Sequence, residues 1–404
     1  MRNHLKVKKI DIVILGLFLA LSKPTIIPQL LQQMIKLTLL IGVMAFLISR
    51  TKFKKYMNIL TVVCLFMVIS GITSYFSGSA GFQSIIHGIL QAICLLCIYH
   101  LMGYCKERNC FNILVKDLYI ILSIFCILSI CSMMVRGHSP TDGGVTYLFG
   151  TKFMTSYYFI FWLTLYRLKN INKIETRLWN RWIYVILIVT VMYICKWMYC
   201  TTAMLAVVFL LAEQFLPKKM KKIMFNRYCV IISIILAGLV FPAFINEILA
   251  NLRIQYIVVD VLHKLPNMTG RRVILVNMME LILKRPWLGY GYGTTVMHAI
   301  NENIDNAQNG LLQQLIQYGF VGGILFCVLV FKALDRRYKD DELNALYAAL
   351  YAIIICSAVE ISYNYVFYYT LFIMANFKIE HIKKKGYYLS IEKNLSLLKG
   401  SRAN

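Results

Sequence analysis

Residues 57–76 read MNILTVVCLFMVISGITSYF, twenty residues without one Asp, Glu, Lys or Arg. A helix needs about 20 predominantly apolar residues to cross the hydrocarbon core of a bilayer, so this stretch predicts a membrane span. Comparable runs recur on both sides of it, and apolar run plus basic flank together give spans at 10–27, 33–49, 57–76, 85–103, 112–134, 150–166, 182–196, 200–216, 228–246, 310–332, 342–357 and 360–377. Over 404 residues, 59% hydrophobic and 15% charged content with a mean hydropathy of +0.65 excludes a soluble globular chain. The expected fold is all-α: a polytopic integral membrane protein with about twelve transmembrane helices and one long outer loop.

The net charge of +25 reads as a topology signal rather than a nucleic-acid footprint, because most Lys and Arg sit in short loops between spans. With the N-terminus in the cytoplasm, loops and span edges on that side hold 32 Lys and Arg and the outer side ten, with Lys36 inside the second span. The positive-inside rule then puts both termini in the cytoplasm. Ala20-Leu21-Ser22 followed by Lys23-Pro24 is a weak cleavage site, so the first span is expected to remain in the mature protein. The twelve cysteines lie in or beside spans, or in a short basic loop (Cys105, Cys110), which argues against a disulfide framework. Cys94 and Cys97 read as packing residues inside a span rather than as a redox pair.

The chain divides into nine spans over 1–246, a long extracytoplasmic segment over 247–309, three spans over 310–377 and a basic cytoplasmic tail over 378–404. Tyr387, Tyr388, Leu389 and Ile391 make the tail read as an inner interfacial helix. The long outer segment holds six of the ten outer basic residues: Arg253, Lys264, Arg271, Arg272, Lys284 and Arg285. Positive charge on the side where topology disfavours it points to an anionic ligand. From Arg271 to Leu283 an apolar-rich stretch too short to span predicts an interfacial helix, stopped by Pro286. Trp287-Leu288-Gly289-Tyr290-Gly291-Tyr292-Gly293 follows, with alternate glycines that open the backbone to close approach.

No P-loop, H-E-x-x-H or G-x-S-x-G motif is present and the seven His are scattered, with His4, His100 and His381 at the cytoplasmic edge in solvated positions. A nucleotide-driven or metal-dependent enzyme is therefore disfavoured, and no cofactor is expected. The polar residues that remain converge on the outer face. Arg136 and Lys152 bracket the loop Gly137-His138-Ser139-Pro140-Thr141-Asp142-Gly143-Gly144, Lys196 starts the next outer turn, and Arg271 and Arg272 open the interfacial helix. Arginine forks and a helix N-terminus suit a pyrophosphate at the membrane surface; the same residues taken singly also serve as anchors on lipid phosphates. Further on, Gln308, Leu312, Leu315, Gly319 and Gly322 fall on one face of a helix. That face can hold a lipid chain with its head near Gln308 and Asn309, or its glycines can pack two helices closely.

The order Thr269-Gly270-Arg271, Leu288-Gly289-Tyr290-Gly291, then Gln308-Asn309 followed after nine residues by Gly319-x-x-Gly322, resembles the core signature of the bacterial O-antigen polymerase and ligase family, whose pattern runs T/S-G-R, L-G-x-G and H-N/S/Q-x9-G-x-x-G. The signature covers about 55 residues and the topology the whole chain; Gly150-Thr151-Lys152 and Thr201-Thr202 are similar to weaker family features. The resemblance implies a metal-independent, GT-C-like glycosyltransferase of the bacterial plasma membrane that moves a glycan from undecaprenyl pyrophosphate to an acceptor sugar, with membrane lipids and a chain-length regulator as further partners. It implies that Arg271 binds the donor pyrophosphate and that the Gly289/Gly291 turn shapes the outer cavity; the converging outer charge adds Arg272, Lys152 and Arg136 as pyrophosphate-binding candidates, and the helix face adds Gly319 and Gly322 as cavity-shaping ones. Position 308 departs from the pattern, since the family commonly places His there to activate the acceptor hydroxyl and Gln308 takes no proton at physiological pH. Either Gln308 and Asn309 only position the hydroxyl, or another group is the base, or the chain is an altered member; His298, Glu302, Asp305 and Glu360 are the reachable outer groups. Tyr256, Trp287, Tyr290 and Tyr292 can stack on sugars, although an interface belt explains Trp287 equally well. A polymerase is the favoured reading, with a ligase and a lipid-linked oligosaccharide flippase or transporter as the alternatives.

Overall fold

A computed structural model of the protein describes residues 2–22, 29–48, 59–76, 78, 81–136, 147–244, 247, 250–256, 259, 271–294, 296–299, 306–334 and 341–376. Thr269, Gly270, Lys264, Glu302, Asp305, the 137–144 loop and the tail from Lys378 therefore lie outside the described residues. The helices are α1 (Arg2–Ser22), α2 (Gln29–Ile48), α3 (Ile59–Phe76), α4 (Gln83–Glu107), α5 (Phe111–Arg136), α6 (Lys152–Thr176), α7 (Leu178–Trp197), α8 (Thr201–Phe215), α9 (Lys218–Met224), α10 (Arg227–Ala243), α11 (Leu252–Tyr256), α12 (Arg271–Lys284), α13 (Gly310–Ala333), α14 (Asp341–Ser357) and α15 (Tyr365–Asn376). Among the described residues there is no strand beyond an isolated Tyr147–Gly150 bridge, so the chain is all-helical as expected.

Among the described residues five helices are long and apolar enough to cross a membrane: Ile59–Phe76, Ser84–Glu107, Phe111–Val135, Leu178–Trp197 and Gly310–Ala333. Lys218–Met224 and Arg227–Ala243, bent by 63° at their junction, make a sixth if they form one span, and Ile10–Ser22, Gln33–Ala45, Thr201–Phe215 and Leu343–Ser357 are shorter apolar helices. The peripheral helices turn large apolar side chains outward at helical spacing, as Ile120, Ile124 and Ile127 do on α5. A water-soluble surface rarely tolerates such stripes; hydrocarbon satisfies them.

α14 and α15 are apolar nearly all round and buried nearly all round, which is the pattern of a central helix. α14 packs on α6, α8 and α15, and α13 packs on α3, α10, α12 and α15. α3 and α4 pack closely because Ser84, Gly88 and Ala92 recur every four residues on α4. A Cβ on Gly88 would stand 2.9 Å from the Met67 carbonyl, and Cys64 Sγ donates to Ala92 O at 3.6 Å. Small residues at this spacing let two apolar helices bring their backbones together. None of the twelve cysteines forms a disulfide, and Cys94 and Cys97 are fully buried among packed side chains.

Two sequence expectations are corrected. His100 is not a solvated edge residue; it is 8% exposed beside the Tyr99 ring. The last apolar segment becomes helical only at Tyr365, because Asn364 accepts from Val366 N (2.9 Å) and starts the helix there, while Ser362 turns its hydroxyl onto Ile353 O (2.8 Å). Sequence reading also passed over a buried ion cluster: fully buried Glu213 accepts from Arg167 Nη1 at 2.6 Å and pairs with Lys221 at 2.8 Å. Arg167 is fifteen residues, roughly 22 Å of helix, along α6 from Lys152, so this cluster ties α6, α8 and α9 together far from the outer polar residues.

Candidate functional site around a broken helix

The site is organised by a break in α13. Gly319 has φ 62° and ψ −170°, a conformation essentially restricted to glycine, so the run read as one continuous helix is two segments. The single face from Gln308 to Gly322 does not form; Gln308 itself, at φ 45°, lies outside the helix. A break inside an apolar region leaves backbone groups without partners, at a cost of several kcal/mol each unless something replaces them. The Pro286–Gly291 stretch replaces them. Tyr290 N donates to Ile316 O (2.7 Å), Gly291 N to Gln317 O (2.8 Å), Phe320 N to Pro286 O (2.6 Å) and Val321 N to Trp287 O (3.3 Å). Ser70 Oγ of α3 adds a bond to Gln317 O at 3.0 Å.

The signature glycines therefore act through the backbone. A Cβ on Gly289 would lie 2.5 Å from Ile316 O, one on Gly319 would collide with the Trp287 carbonyl, and one on Gly291 would strike the Ser74 side chain. Gly322 leaves room for the side chain of Tyr318 on the preceding turn. The N–H groups of Tyr290 and Gly291 are spent on α13 and do not form an anion nest. Tyr290 is likewise committed: it is buried, its hydroxyl donates to Leu281 O at 3.1 Å and Arg285 lies 5.1 Å over its ring. Trp287 and Tyr256 are exposed, and Tyr292 turns inward to line a cavity.

Asn309, fully buried, caps α13. Its Oδ1 accepts from Leu311 N (3.1 Å) and Leu312 N (3.0 Å), which are orphan donors of the first turn. Its Nδ2 donates to Ala237 O and Ala358 O, both at 3.0 Å. Ala237 needs this partner because α10 carries a π turn over Leu236–Val240 in which Phe241 N reaches back to Leu236 O, while Pro242 has no N–H to offer. The Asn309 amide is thus fully used in joining α10, α13 and the residues after α14. Beside it, Gln308 N donates to Asn306 Oδ1 at 2.9 Å, and Gln308 Oε1 is buried without a partner.

Glu360 is buried two residues beyond Ala358, and it and Lys152, also buried, both bear electrostatically on Cys200, so the structure brings Lys152 and Glu360 to one neighbourhood near the α13 N-terminus. His298 is exposed on a short 3-10 turn, Val296–Ala299. Arg271 and Arg272 form the first turn of α12, one residue wider than expected at its far end, and Arg136 ends α5; only their backbones are described.

α13 separates two cavities of opposite character. On one side, Leu311, Leu315 and Gly323 join Ile231, Ile235 and Leu239 of α10 around an apolar groove of about 400 Å³. On the other, Gln313, Gln314, Gln317 and Tyr318 face a polar cavity of about 180 Å³ closed by residues of α3, α4 and the α14–α15 connection. Sequence reading missed this second wall, although Gln313-Gln314-x-x-Gln317 places three amides on one face of an apolar helix and was the available signal. No family model matches the chain, and neither a curated protein nor a solved structure matches it.

Proposed function

We propose that the protein is a metal-independent glycosyltransferase of the bacterial plasma membrane, a polymerase that joins oligosaccharide repeat units carried on undecaprenyl pyrophosphate. In this reading twelve helices cross the bilayer, both ends of the chain are cytoplasmic and the site opens outward. The observation that supports it most is the division of labour on α13, with an apolar groove along one face and an amide-lined cavity along the other. A lipid-linked sugar likewise joins an apolar chain to a hydroxyl-rich head.

The polyprenyl chain lies in the groove, while Arg271 and Arg272, with Lys152 and Arg136, hold the pyrophosphate by charge-assisted hydrogen bonds. Gln308 orients the acceptor hydroxyl and Asn309 is a positioning residue. The hydroxyl oxygen attacks the anomeric carbon, the bond from that carbon to the phosphate oxygen breaks, undecaprenyl pyrophosphate departs with the electron pair, and Glu360 takes the hydroxyl proton; His298 is the alternative base. No nucleotide or metal is needed because the pyrophosphate bond already activates the glycosyl carbon, and preorganised donors stabilise the departing charge.

Release of undecaprenyl pyrophosphate from a synthetic lipid-linked repeat unit tests the assignment of the leaving group. The wild type should release it and Arg271→Lys should lose most of that release, since a point charge does not reproduce a bidentate fork. Equal release by Arg271→Ala would remove the arginine from the site.

A further inference from the structure

The polar cavity beside α13 is lined by five side-chain amides and five tyrosines, with Met67 and Ile361 completing it. Among the described residues no carboxylate and no basic side chain lines it; Lys36 Nζ stands 5.8 Å from the centroid of the Tyr365 ring without being part of the lining. Some of these groups are already satisfied. Gln313 Oε1 accepts from Ala307 N at 2.8 Å, Tyr365 donates to Gln91 Oε1 at 2.9 Å, and Tyr363 shares a bond with Ser357 at 3.0 Å.

Three are not. Tyr318 is 3% exposed and its hydroxyl has no partner, while the side-chain amides of Gln314 and Gln317, each 7% exposed, bond to no other described residue. Two amides and a phenol offer five N–H or O–H donors together with acceptor oxygens, all neutral, converging on one space. The sealed Tyr318 hydroxyl would be costly to leave unsatisfied, and the Gln314 and Gln317 amides open onto the same space, so an occupant that both donates and accepts suits it. At about 180 Å³ the cavity equals the liquid volume of about six waters, the scale of one sugar ring with its hydroxyls. Tyrosine faces supply the apolar walls such a ring stacks on.

We infer that this cavity is a subsite for a single uncharged, hydroxyl-rich sugar residue, held by Gln314, Gln317 and Tyr318, and that it selects against sugars bearing a carboxylate or a phosphate. The inference rests on the transferase reading and sharpens it: the unit of the glycan seated beside α13 is neutral. Discrimination arises because a charge brought into a space with no counter-charge loses its hydration without recompense, whereas hydroxyls exchange water for amides at little cost.

The full-length protein in lipid nanodiscs, titrated with methyl glucoside, methyl N-acetylglucosaminide and methyl glucuronide and read by saturation-transfer NMR on the sugar protons, tests it. At least one neutral glycoside should receive saturation and the glucuronide should not. Tyr318→Phe deletes only a hydroxyl with no partner, so it should leave thermal unfolding unchanged while weakening binding roughly tenfold, the effect of one hydrogen bond. Gln314→Leu with Gln317→Leu should abolish binding. Saturation of the glucuronide as strong as that of the neutral sugars, or unaltered binding in Tyr318→Phe and in the double variant, would overturn the subsite and leave water as the occupant. Parallel chain-extension assays separate the two readings. Polymer made at unchanged rate and KM by both variants removes the subsite and leaves the transferase, while sugar binding of the predicted pattern in a protein that extends no lipid-linked glycan leaves the cavity assigned and removes the transferase.

Discussion

Gly289 and Gly319 pack backbone against backbone: a Cβ on Gly289 would lie 2.6 Å from Gly319 N, and both residues hold positive φ, 66° and 62°. This contact lets the Pro286–Gly291 stretch stand in for the missing rungs of α13. Gly319→Ala forces a side chain into the Trp287 carbonyl and into a glycine-only conformation, so it should destabilise the protein by about 3 kcal/mol and lower the apparent Tm of the purified protein. An unchanged Tm would show that the two segments are not locked together.

Asn309 joins three elements through one amide, and its loss costs a helix cap as well as two carbonyls left without donors. Asn309→Ala should reduce stability by about 3 kcal/mol. Asn309→Asp keeps the cap and turns a carboxylate on Ala237 O and Ala358 O, so it should rescue less than half of that loss. Thermal unfolding of the two variants side by side checks the ordering.

The Glu213 cluster predicts a structural effect remote from the site. Removing the carboxylate leaves Arg167 and Lys221 facing each other in a buried setting, and breaking a buried pair from one side typically costs about 3 to 5 kcal/mol. Glu213→Ala should therefore reduce folded yield sharply, whereas a surface ion pair such as Lys284–Glu280 should be dispensable. Comparable yields of Glu213→Ala and Glu280→Ala would contradict this.

Under the proposed mechanism Gln308 and Glu360 should separate in activity. Gln308→Ala removes an orienting hydrogen bond worth about 1 to 3 kcal/mol and should slow transfer roughly 10- to 100-fold, and Gln308→His should be tolerated. Glu360→Gln should fall further and should not recover at higher pH, because the amide accepts no proton. Full activity in Glu360→Gln would shift attention to His298.

Much of this architecture could be read from the chain. The apolar runs are helical, and α12 ends at Lys284, before Pro286, with Ile274, Leu275, Met278 and Ile282 forming its buried stripe. The break at Gly319 was hidden because residues 310–331 hold no proline and no charge to mark it, and the groups that complete the broken ladder come from a loop far back in sequence. The link from Asn309 to Ala237 was hidden for the same reason: it depends on a π turn beside Pro242, and nothing local announces that a carbonyl there lacks its donor. The amide wall was visible in Gln313-Gln314-x-x-Gln317, but only the packing of α3, α4 and α15 around it shows that these residues face a cavity rather than a neighbouring helix.

Incubating the purified protein with a synthetic undecaprenyl-pyrophosphate repeat unit, without nucleotide or metal, and resolving the lipid-linked products by mass tests the polymerase assignment itself. A polymerase should give a ladder that grows by one repeat unit at a time, with one undecaprenyl pyrophosphate released per added unit, and Arg271→Ala should lose it. A repeat unit recovered unextended, or moved intact across the bilayer of a proteoliposome, would contradict that assignment.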